Sequence, residues 1–239
     1  MLAAADFLGR LQHLSRKAES RKLGTASEAY FAASLVADHL KQRLQRLQMA
    51  EGESEPYQAL AQFLEREFTP SLEQVTGWCE AHLRAAGLSF SGELDWAQRT
   101  LSPSDFGFHN ALRQPDGRII FLDFEYFGWD DPAKMIADFL LHPAMNLSAD
   151  AKRIFASTMF KRFPDLPSLP VRLEGLYPLF GLKWCLIFLN EFLPDAYLRR
   201  RFAATASAER SALQLRQLDK ARQMLERIRQ EYQCIAYRD

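Results

Sequence analysis

Residues 101–125 read LSPSDFGFHNALRQPDGRIIFLDFE and are the most informative part of this sequence. The middle of this part, residues 114–117, consists of turn formers and is followed by a run rich in β-branched and aromatic residues. The shorter segment 110–113 can pair with the run 118–122. The sequence therefore predicts a short acidic loop followed by a β-hairpin.

Three polar side chains lie at one end of this predicted hairpin. Folding about the turn places Asn110 roughly opposite Phe121, about two residues or ~7 Å along the strand from Asp123. Asp105 lies one loop earlier, at the same end. Their oxygens suit Mg²⁺, and phosphoryl transfer needs a metal and a carboxylate that orients the attacking hydroxyl. The alternative is an Asp that only caps a turn and an Asn that only begins a strand.

Two motifs carry a resemblance to a known family. The stretches LSPSDFGFHN (101–110) and IIFLDFEYFGWDDP (119–132) resemble the catalytic and metal-binding loops of the aminoglycoside phosphotransferase and choline kinase-like superfamily. The resemblance implies a protein-kinase-like fold, ATP as the phosphoryl donor, Mg²⁺ as the cofactor and a small-molecule hydroxyl as the acceptor. It also implies that Asp105 is the catalytic base and that Asn110 and Asp123 are the metal ligands.

The sequence departs from the family pattern at two positions. The family usually has a His two residues before the catalytic Asp, where this chain has Pro103. It usually has a further Asp after the Asp-Pro pair, where this chain has Met135, and Asp138 follows one helical turn later. Pro103 therefore bears on how the catalytic loop is braced more than on the chemistry of Asp105.

The 104 residues before Asp105 read as helix. Helices are expected over residues 4–16, 27–49 (with Ser27 as N-cap) and 56–86 (with a break or kink at Pro70). No glycine-rich phosphate loop and no strand with a central Lys precedes the catalytic loop. The resemblance implies that the chain begins just after the hinge, with an N-terminal lobe that is missing or supplied by a partner chain.

The predicted fold is therefore mainly α with a small β-hairpin, the C-terminal lobe of a protein-kinase-like fold. We expect residues 1–239 to form a single unit. The catalytic and metal-binding loops fall within residues 101–132, and a helical acceptor-binding part covers about 133–239. The helix that follows Asp131 should run through Leu141, with Pro132 at its first position.

Seven residues are candidates for substrate binding, and each has a purely structural alternative. Asp131 can be an N-cap, His109 a loop hydrogen-bonding residue and Trp129 a core residue. Lys183 and Glu191 lie on one apolar helix, expected over residues 171–193, where charged groups should face a cavity or each other. The full set of candidates is Glu125, Asp131, His109, Trp129, Lys183, Trp184 and Glu191.

The composition indicates where the protein is located and which partners it is expected to bind. Thirty acidic and thirty basic residues cancel, so the chain has no overall charge to attract nucleic acid. Its three isolated cysteines suggest reduced thiols, hence a cytoplasmic protein. The most apolar stretch, 176–193, contains Lys183, Asn190 and Glu191, which favours a buried helix over a membrane span. The arginine cluster 199–201 is expected to be a solvated helix face.

Two functions remain open at this level. One is an ATP-dependent small-molecule kinase, incomplete without an N-terminal lobe. The other is a non-catalytic binding or scaffold module derived from such a kinase. The acceptor is undecided. An aromatic and acidic cage for a choline-like cation would use Trp129, Trp184, Glu125 and Glu191. An acidic rim for a sugar or aminoglycoside would use Asp130, Asp131 and Glu191.

Overall fold

The computed structural model describes residues 1–193 and 207–234, so the arginine cluster 199–201 lies outside the described residues. The α-helices are α1 (Leu2–Ser15), α2 (Ala33–Gln48), α3 (Glu55–Phe63), α4 (Thr69–Ala85), α5 (Pro132–Leu141), α6 (Ala149–Arg162), α7 (Leu169–Phe188) and α8 (Ser207–Glu231). The strands are β1 (Thr100–Ser102), β2 (Ala111–Arg113), β3 (Ile119–Phe121) and β4 (Gly128–Asp130). The prediction of a mainly helical chain with a small hairpin is confirmed.

Helix α7 forms the centre of the core. It is apolar on nearly all sides, and it packs against α5, α8, α4 and α2. A helix with apolar residues around its whole circumference has to be enclosed by other elements. The predicted buried helix is confirmed. None of the described helices is both long enough and apolar enough to cross a membrane.

The predicted hairpin is β2 paired with β3, and its register differs by one residue from the prediction. Ala111, and not Asn110, lies opposite Phe121. The loop contains three residues, because Gln114 is still bonded to Arg118, and Gly117 takes the left-handed conformation (φ +84°) that this loop length favours. Asn110 therefore lies opposite Leu122, one residue closer to Asp123.

Strands β1 and β4 form a second pair that the sequence did not reveal, and the segment 24–27 lies against β4. The N–H of Trp129 donates to the carbonyl of Gly24, and the N–H of Ala26 donates back to Trp129 (both 2.9 Å). A Cβ on Gly128 would lie 2.5 Å from the backbone of Ala26, so glycine permits this close approach. Because segment 24–27 is bonded to β4, Ser27 is not the N-cap predicted, and α2 begins at residue 33.

At the predicted break or kink near Pro70, the helix is locally wider just before the proline. Residues Leu64–Phe68 form a π-helical turn between α3 and α4, and Pro70 lies in the first turn of α4. Proline has no N–H to donate, so a change of hydrogen-bond pattern just before it accommodates the missing bond. The hydroxyl of Thr69 donates to the carbonyl of Leu64 (2.7 Å) and closes this turn.

Candidate active site

The loop after β1 is held by hydroxyl groups. Ser104 has a left-handed backbone (φ +66°), and its N–H donates to the hydroxyl of Ser102 (3.0 Å). The Ser104 hydroxyl donates to the carbonyl of Ser27 (3.2 Å) and lies 3.4 Å from the ammonium of Lys134. This bracing surrounds Pro103, the position where the resembled family usually has a His. The loop is therefore held without that His.

Aromatic packing also holds this loop in place. The Phe106 ring lies 4.5 Å from that of Phe121, 5.4 Å from that of Phe7 and 5.7 Å from that of Phe139, measured between centroids. The neighbouring residue, Asp105, keeps about two fifths of its side chain exposed. The packing thus fixes the backbone while its carboxylate remains accessible.

Asp105 is the centre of a hydrogen-bonded cluster. His109 places Nε2 3.1 Å from Oδ1 of Asp105. The side-chain amide of Asn110 donates to the Asp105 carbonyl (3.2 Å) and lies 3.4 Å from its Oδ2. The amide nitrogen of Asn110 is thus engaged, which makes Oδ1 the atom that Asn110 offers to a cation. The structure brings together Asp105, Asn110 and His109.

His142, at the end of α5, completes this cluster. Its ring stacks on that of His109 with 3.8 Å between centroids, and its Nε2 lies 3.6 Å from Oδ1 of Asp105. Burial, with the neighbouring His109, lowers the pKa of His142 to about 4. The imidazole of His142 is therefore neutral at pH 7.

Asp105, His109 and His142 offer ligand atoms within 4.8 Å of one another, an arrangement that also suits a transition metal. A metal-bound imidazole usually donates its other ring N–H. The Nδ1 of His142 instead accepts the N–H of Ala144 (3.2 Å), which places the proton of the neutral ring on Nε2, facing Asp105. The cluster is thus arranged to donate hydrogen bonds to a carboxylate.

Asp123 lies directly after the backbone bond between the Leu122 N–H and the Asn110 carbonyl (2.9 Å). It is exposed and has a left-handed backbone (φ +62°). A hydrogen bond with Glu125 and the charge of that carboxylate raise the pKa of Tyr126, and Asp123 and Asp105 add to the effect. The exposed carboxylates at 123 and 125 and the cluster around Asp105 therefore face a common region.

Unfavourable backbone conformations concentrate at this site. Among the described residues, four that are not glycine have positive φ: Glu28, Ser104, Asp123 and Asn146. The first three belong to the site or its pocket. Such conformations cost about 1–3 kcal/mol each and persist where the surrounding structure imposes them, most often at functional sites.

A cavity of about 430 Å³ opens beside Asp105. Its walls come from the segment before α2, from α2, from the catalytic loop and from α5 and α7. Charged and polar residues in the walls are Glu28, Arg43, Asp105, Asp138, His142, Lys183 and Asn190. Trp184 and Tyr126 add aromatic surface. The N-terminal third of the chain therefore contributes to the pocket together with the helices after residue 132.

Lys183 pairs with residues from two other elements and not with Glu191. Its ammonium lies 3.3 Å from Glu28 and 3.5 Å from Asp138. Glu28 also accepts from Arg43 (3.0 Å). His39, Lys183 and Arg43 together hold the pKa of Glu28 well below its ordinary value, against the effect of burial. Glu28 is thus ionised and is the negative centre of this wall.

Two predicted substrate contacts lie in the core. Asp131 is fully buried and caps α5 by accepting the N–H of Ala133 (2.7 Å). It also pairs with Arg172 at 2.6 Å. Trp129 is 2% exposed, and its indole N–H donates to the carbonyl of Ser20 (2.9 Å). Both residues therefore have the structural roles that were the alternatives in the sequence.

The remaining predicted residues divide between the pocket and its surroundings. Lys183 and Trp184 line the pocket, as does Asp138, the residue one turn after Met135. Met135 itself is buried. Glu191 lies in the short 3-10 helix Leu189–Phe192, outside the walls of this pocket.

Sequence reasoning missed Glu28, Arg43 and His142. Arg43 and Glu28 are 15 residues apart, and His142 is far from His109 in the chain, so no local spacing identifies them. The signal that the sequence does offer is Gly128, because a side chain at that position would collide with the backbone of residues 24–26.

No protein-family model and no curated protein sequence matches this chain. Among solved structures it is similar to an aminoglycoside phosphotransferase from Alicyclobacillus acidocaldarius, with a TM-score of 0.53 and 15% identity, over 98% of this chain and 67% of that one. An ethanolamine kinase from Plasmodium vivax gives 0.52 and 12%, over 91% of this chain and 57% of that one. A choline kinase from Cryptosporidium parvum gives 0.52 and 10%, over 96% and 63%.

At these identities the likeness concerns the fold, and the chain spans between 57% and 67% of the length of these three proteins. Their folds are kinase-like, in agreement with the loops at residues 101–132. The chain therefore has the fold of the aminoglycoside phosphotransferases and the choline and ethanolamine kinases, of which it spans a part.

Proposed function

We propose that this chain is the catalytic and acceptor-binding part of a phosphotransferase that moves the γ-phosphate of ATP to a hydroxyl of a small molecule. The observation that supports this most is the position of Asp105. Its partly exposed carboxylate is hydrogen-bonded on one side by His109 and opens on the other into a polar cavity. An acceptor hydroxyl in that cavity can approach the carboxylate directly.

Asp105 is the proposed general base. It orients the acceptor hydroxyl and receives its proton as the oxygen attacks the phosphorus atom. The hydrogen bond from His109 holds the carboxylate in one orientation. Orientation and electrostatic stabilisation account for most of the catalysis in phosphoryl transfer, so a fixed carboxylate is the central requirement.

Asn110 and Asp123 are the proposed ligands of Mg²⁺. An amide oxygen and an exposed carboxylate on adjacent, hydrogen-bonded strand ends form a donor set of the type that a hard cation prefers. Glu125 is a further carboxylate two residues on. When bound, the metal would neutralise charge on the donor phosphates.

The donor nucleotide also needs a β-rich lobe that covers its phosphates. In residues 1–193 and 207–234 the strands are three residues long and form two separate pairs, so that lobe is not among the described elements. We propose that it comes from another part of the full protein or from a partner chain. ATP as donor and three free thiols agree with a cytoplasmic location.

The alternative function is a non-catalytic binding module that keeps the acceptor pocket. It is favoured by the strands of residues 1–193 and 207–234, which form two short pairs and no lobe that could cover a nucleotide. The two functions differ in their use of Asp123, since a binding module has no need of a metal-binding carboxylate.

Calorimetric titration with Mg²⁺-ATP separates the two functions. We expect the protein, together with any sequence encoded upstream of Met1, to bind Mg²⁺-ATP, and the Asp123→Asn variant to lose most of that binding. Asp105→Asn should bind normally but fail to transfer phosphate. If a folded protein binds nucleotide equally well with and without Asp123, the proposed metal site is wrong.

A further inference from the structure

The pocket beside Asp105 is lined by charges that alternate in sign. Starting in the core, Asp130 pairs with Lys134 at 2.7 Å, and Lys134 pairs with Asp138 at 3.1 Å. Asp138 then meets Lys183, and Lys183 meets Glu28, at 3.5 and 3.3 Å. Arg43 ends the series by donating to Glu28 and to the side-chain oxygen of Asn190 (both 3.0 Å).

The charges of this series cancel one another, and within the walls Glu28 and Asp138 are balanced by Lys183 and Arg43. Asp105 is the one further carboxylate in the wall, and it is the group proposed to act on the acceptor hydroxyl. A charged acceptor would have to break one of these partly buried pairs. Separating such a pair leaves a charge without its partner in a poorly solvated place, so the walls disfavour a ligand with a net charge.

The two arrangements that would recognise a cation are not assembled. Of the proposed aromatic cage, only Trp184 lines the pocket, because Trp129 lies in the core and Glu191 lies outside the walls. Of the proposed acidic rim, Asp130 and Asp131 are fully buried and paired with Lys134 and Arg172. A quaternary ammonium or a polyamine would therefore find no uncompensated negative surface here beyond Asp105.

Closely alternating donors and acceptors suit hydroxyl groups, because each hydroxyl can both donate and accept. Lys183 and Arg43 offer donors, and Glu28 and Asp138 offer acceptors. Trp184 and Tyr126 add aromatic surface against which a carbon frame can pack. The volume of about 430 Å³ is in the range of small-ligand sites.

We infer that the acceptor is an uncharged polyhydroxylated molecule, of the sugar or cyclitol class, whose hydroxyls lie between the charged pairs while its carbon frame contacts Trp184. The inference rests on the proposed function in taking this cavity as the acceptor site. It concerns recognition alone, and it holds whether or not the chain binds nucleotide.

Binding without nucleotide tests it directly. D-glucose, D-ribose and myo-inositol serve as neutral probes, and choline and kanamycin serve as cations, measured by saturation-transfer NMR and calorimetry. We expect at least one neutral probe to bind more tightly than either cation, with an affinity that added NaCl leaves unchanged, because uncharged ligands are not screened. Tighter binding of a cation, or no binding of any neutral probe at its solubility limit, overturns the inference.

Two variants show that binding occurs in this pocket. Lys183→Gln removes the positive charge that lies between Glu28 and Asp138 and leaves the wall with an excess of negative charge, so it should weaken the best neutral probe about tenfold and strengthen choline binding, while Lys41→Gln on the exposed face of α2 changes neither. Trp184→Phe replaces the indole by the smaller phenyl ring, which reduces the contact with the carbon frame, and it should also weaken the neutral probe. If Lys183→Gln does not fold, Trp184→Phe decides. Unchanged affinity in the folded variants overturns the inference.

Because these titrations contain no ATP, their outcome is independent of the Mg²⁺-ATP experiment. Neutral binding without phosphate transfer would keep the acceptor class and reject the kinase function. Phosphate transfer to a cationic acceptor would support the kinase function and reject the inferred acceptor class.

Discussion

The Nε2 atom of His109 lies 3.1 Å from Oδ1 of Asp105, and the His109 ring stacks on that of His142. The two residues, His109 and Asp105, are four apart in the catalytic loop. The stacked pair therefore holds the carboxylate from the side opposite Asn110, whose amide lies 3.4 Å from Oδ2. The position of the proposed base is set by three neighbours and not by the loop backbone alone.

Replacing His109 by Ala should slow phosphate transfer by about tenfold to hundredfold. A hydrogen bond to a charged group contributes about 1.5–3 kcal/mol, and about 1.4 kcal/mol corresponds to a factor of ten in rate. Because His109 acts through Asp105, kcat should fall with little change in KM, and the pH–rate profile should shift. His13→Ala, on the exposed face of α1, is the control. A larger effect on KM than on kcat would contradict the assignment.

The low pKa of His142 predicts a loss of stability in acid. The unfolded chain protonates this residue near its ordinary pKa of 6.5, while the folded protein does so only near 4. The unfolded state therefore binds more protons between these values, and stability falls as pH drops from about 6.5 to 4. Asp105 and Asp138 oppose the shift and His109 adds to it.

Urea unfolding at pH 7.5 and pH 4.5 measures this effect. After allowance for partial solvent exposure, His142 should account for about 1–2 kcal/mol of the loss. His142→Gln should remove that share of the pH dependence, and His13→Gln should not. Equal pH dependence in wild type and His142→Gln would show that folding does not lower the pKa of His142.

Replacing Lys134 by Met should destabilise the fold by about 3–5 kcal/mol, because it leaves Asp130 and Asp138 without their shared partner. Burial alone would lower the pKa of Lys134, but the two carboxylates outweigh it and raise that pKa above its ordinary value, so the ammonium is charged. Arg153→Met, which breaks the exposed pair with Asp150, should cost less than about 1 kcal/mol in the same urea experiment. Similar losses of stability in Lys134→Met and Arg153→Met would contradict the expectation that the buried pairs of Lys134 contribute more than an exposed pair.

Replacing Gly128 by Ala should displace the segment 24–27 from β4, since the new Cβ would lie 2.5 Å from backbone atoms of that segment. We expect a loss of about 1–3 kcal/mol and weaker acceptor binding, because Glu28 follows this segment directly. Gly77→Ala, in the middle of α4 with no atom within 4 Å, should instead stabilise by about 0.5–1 kcal/mol. An unchanged pocket in Gly128→Ala would show that Glu28 is held by its ion pairs alone.

The hairpin, the catalytic loop and the start of α5 could be predicted from the order of the residues. These features are local: the turn residues 114–117 decide the hairpin, and Asp131 followed by Pro132 decides a helix start. The register was misjudged by one residue, because a three-residue loop and a four-residue loop use the same turn formers. Hydrophobic periodicity likewise predicted α1, α2, α3 with α4, and α7, but not α6. Helix α2 begins six residues later than predicted because segment 24–27 bonds to β4.

Which charged residues pair with each other depends on how the helices pack. Lys183 has a potential partner eight residues away in Glu191, yet it pairs with Glu28 and Asp138, which come from a loop and from another helix. His142 reaches Asp105 because α5 ends where the catalytic loop passes. A buried charged group pairs with the opposite charge that lies close to it once the helices have packed. The packing of the helices is driven by their apolar residues, so it does not depend on the order of the polar residues along the chain. The catalytic loop could therefore be predicted from the sequence, and the pocket that it faces could not.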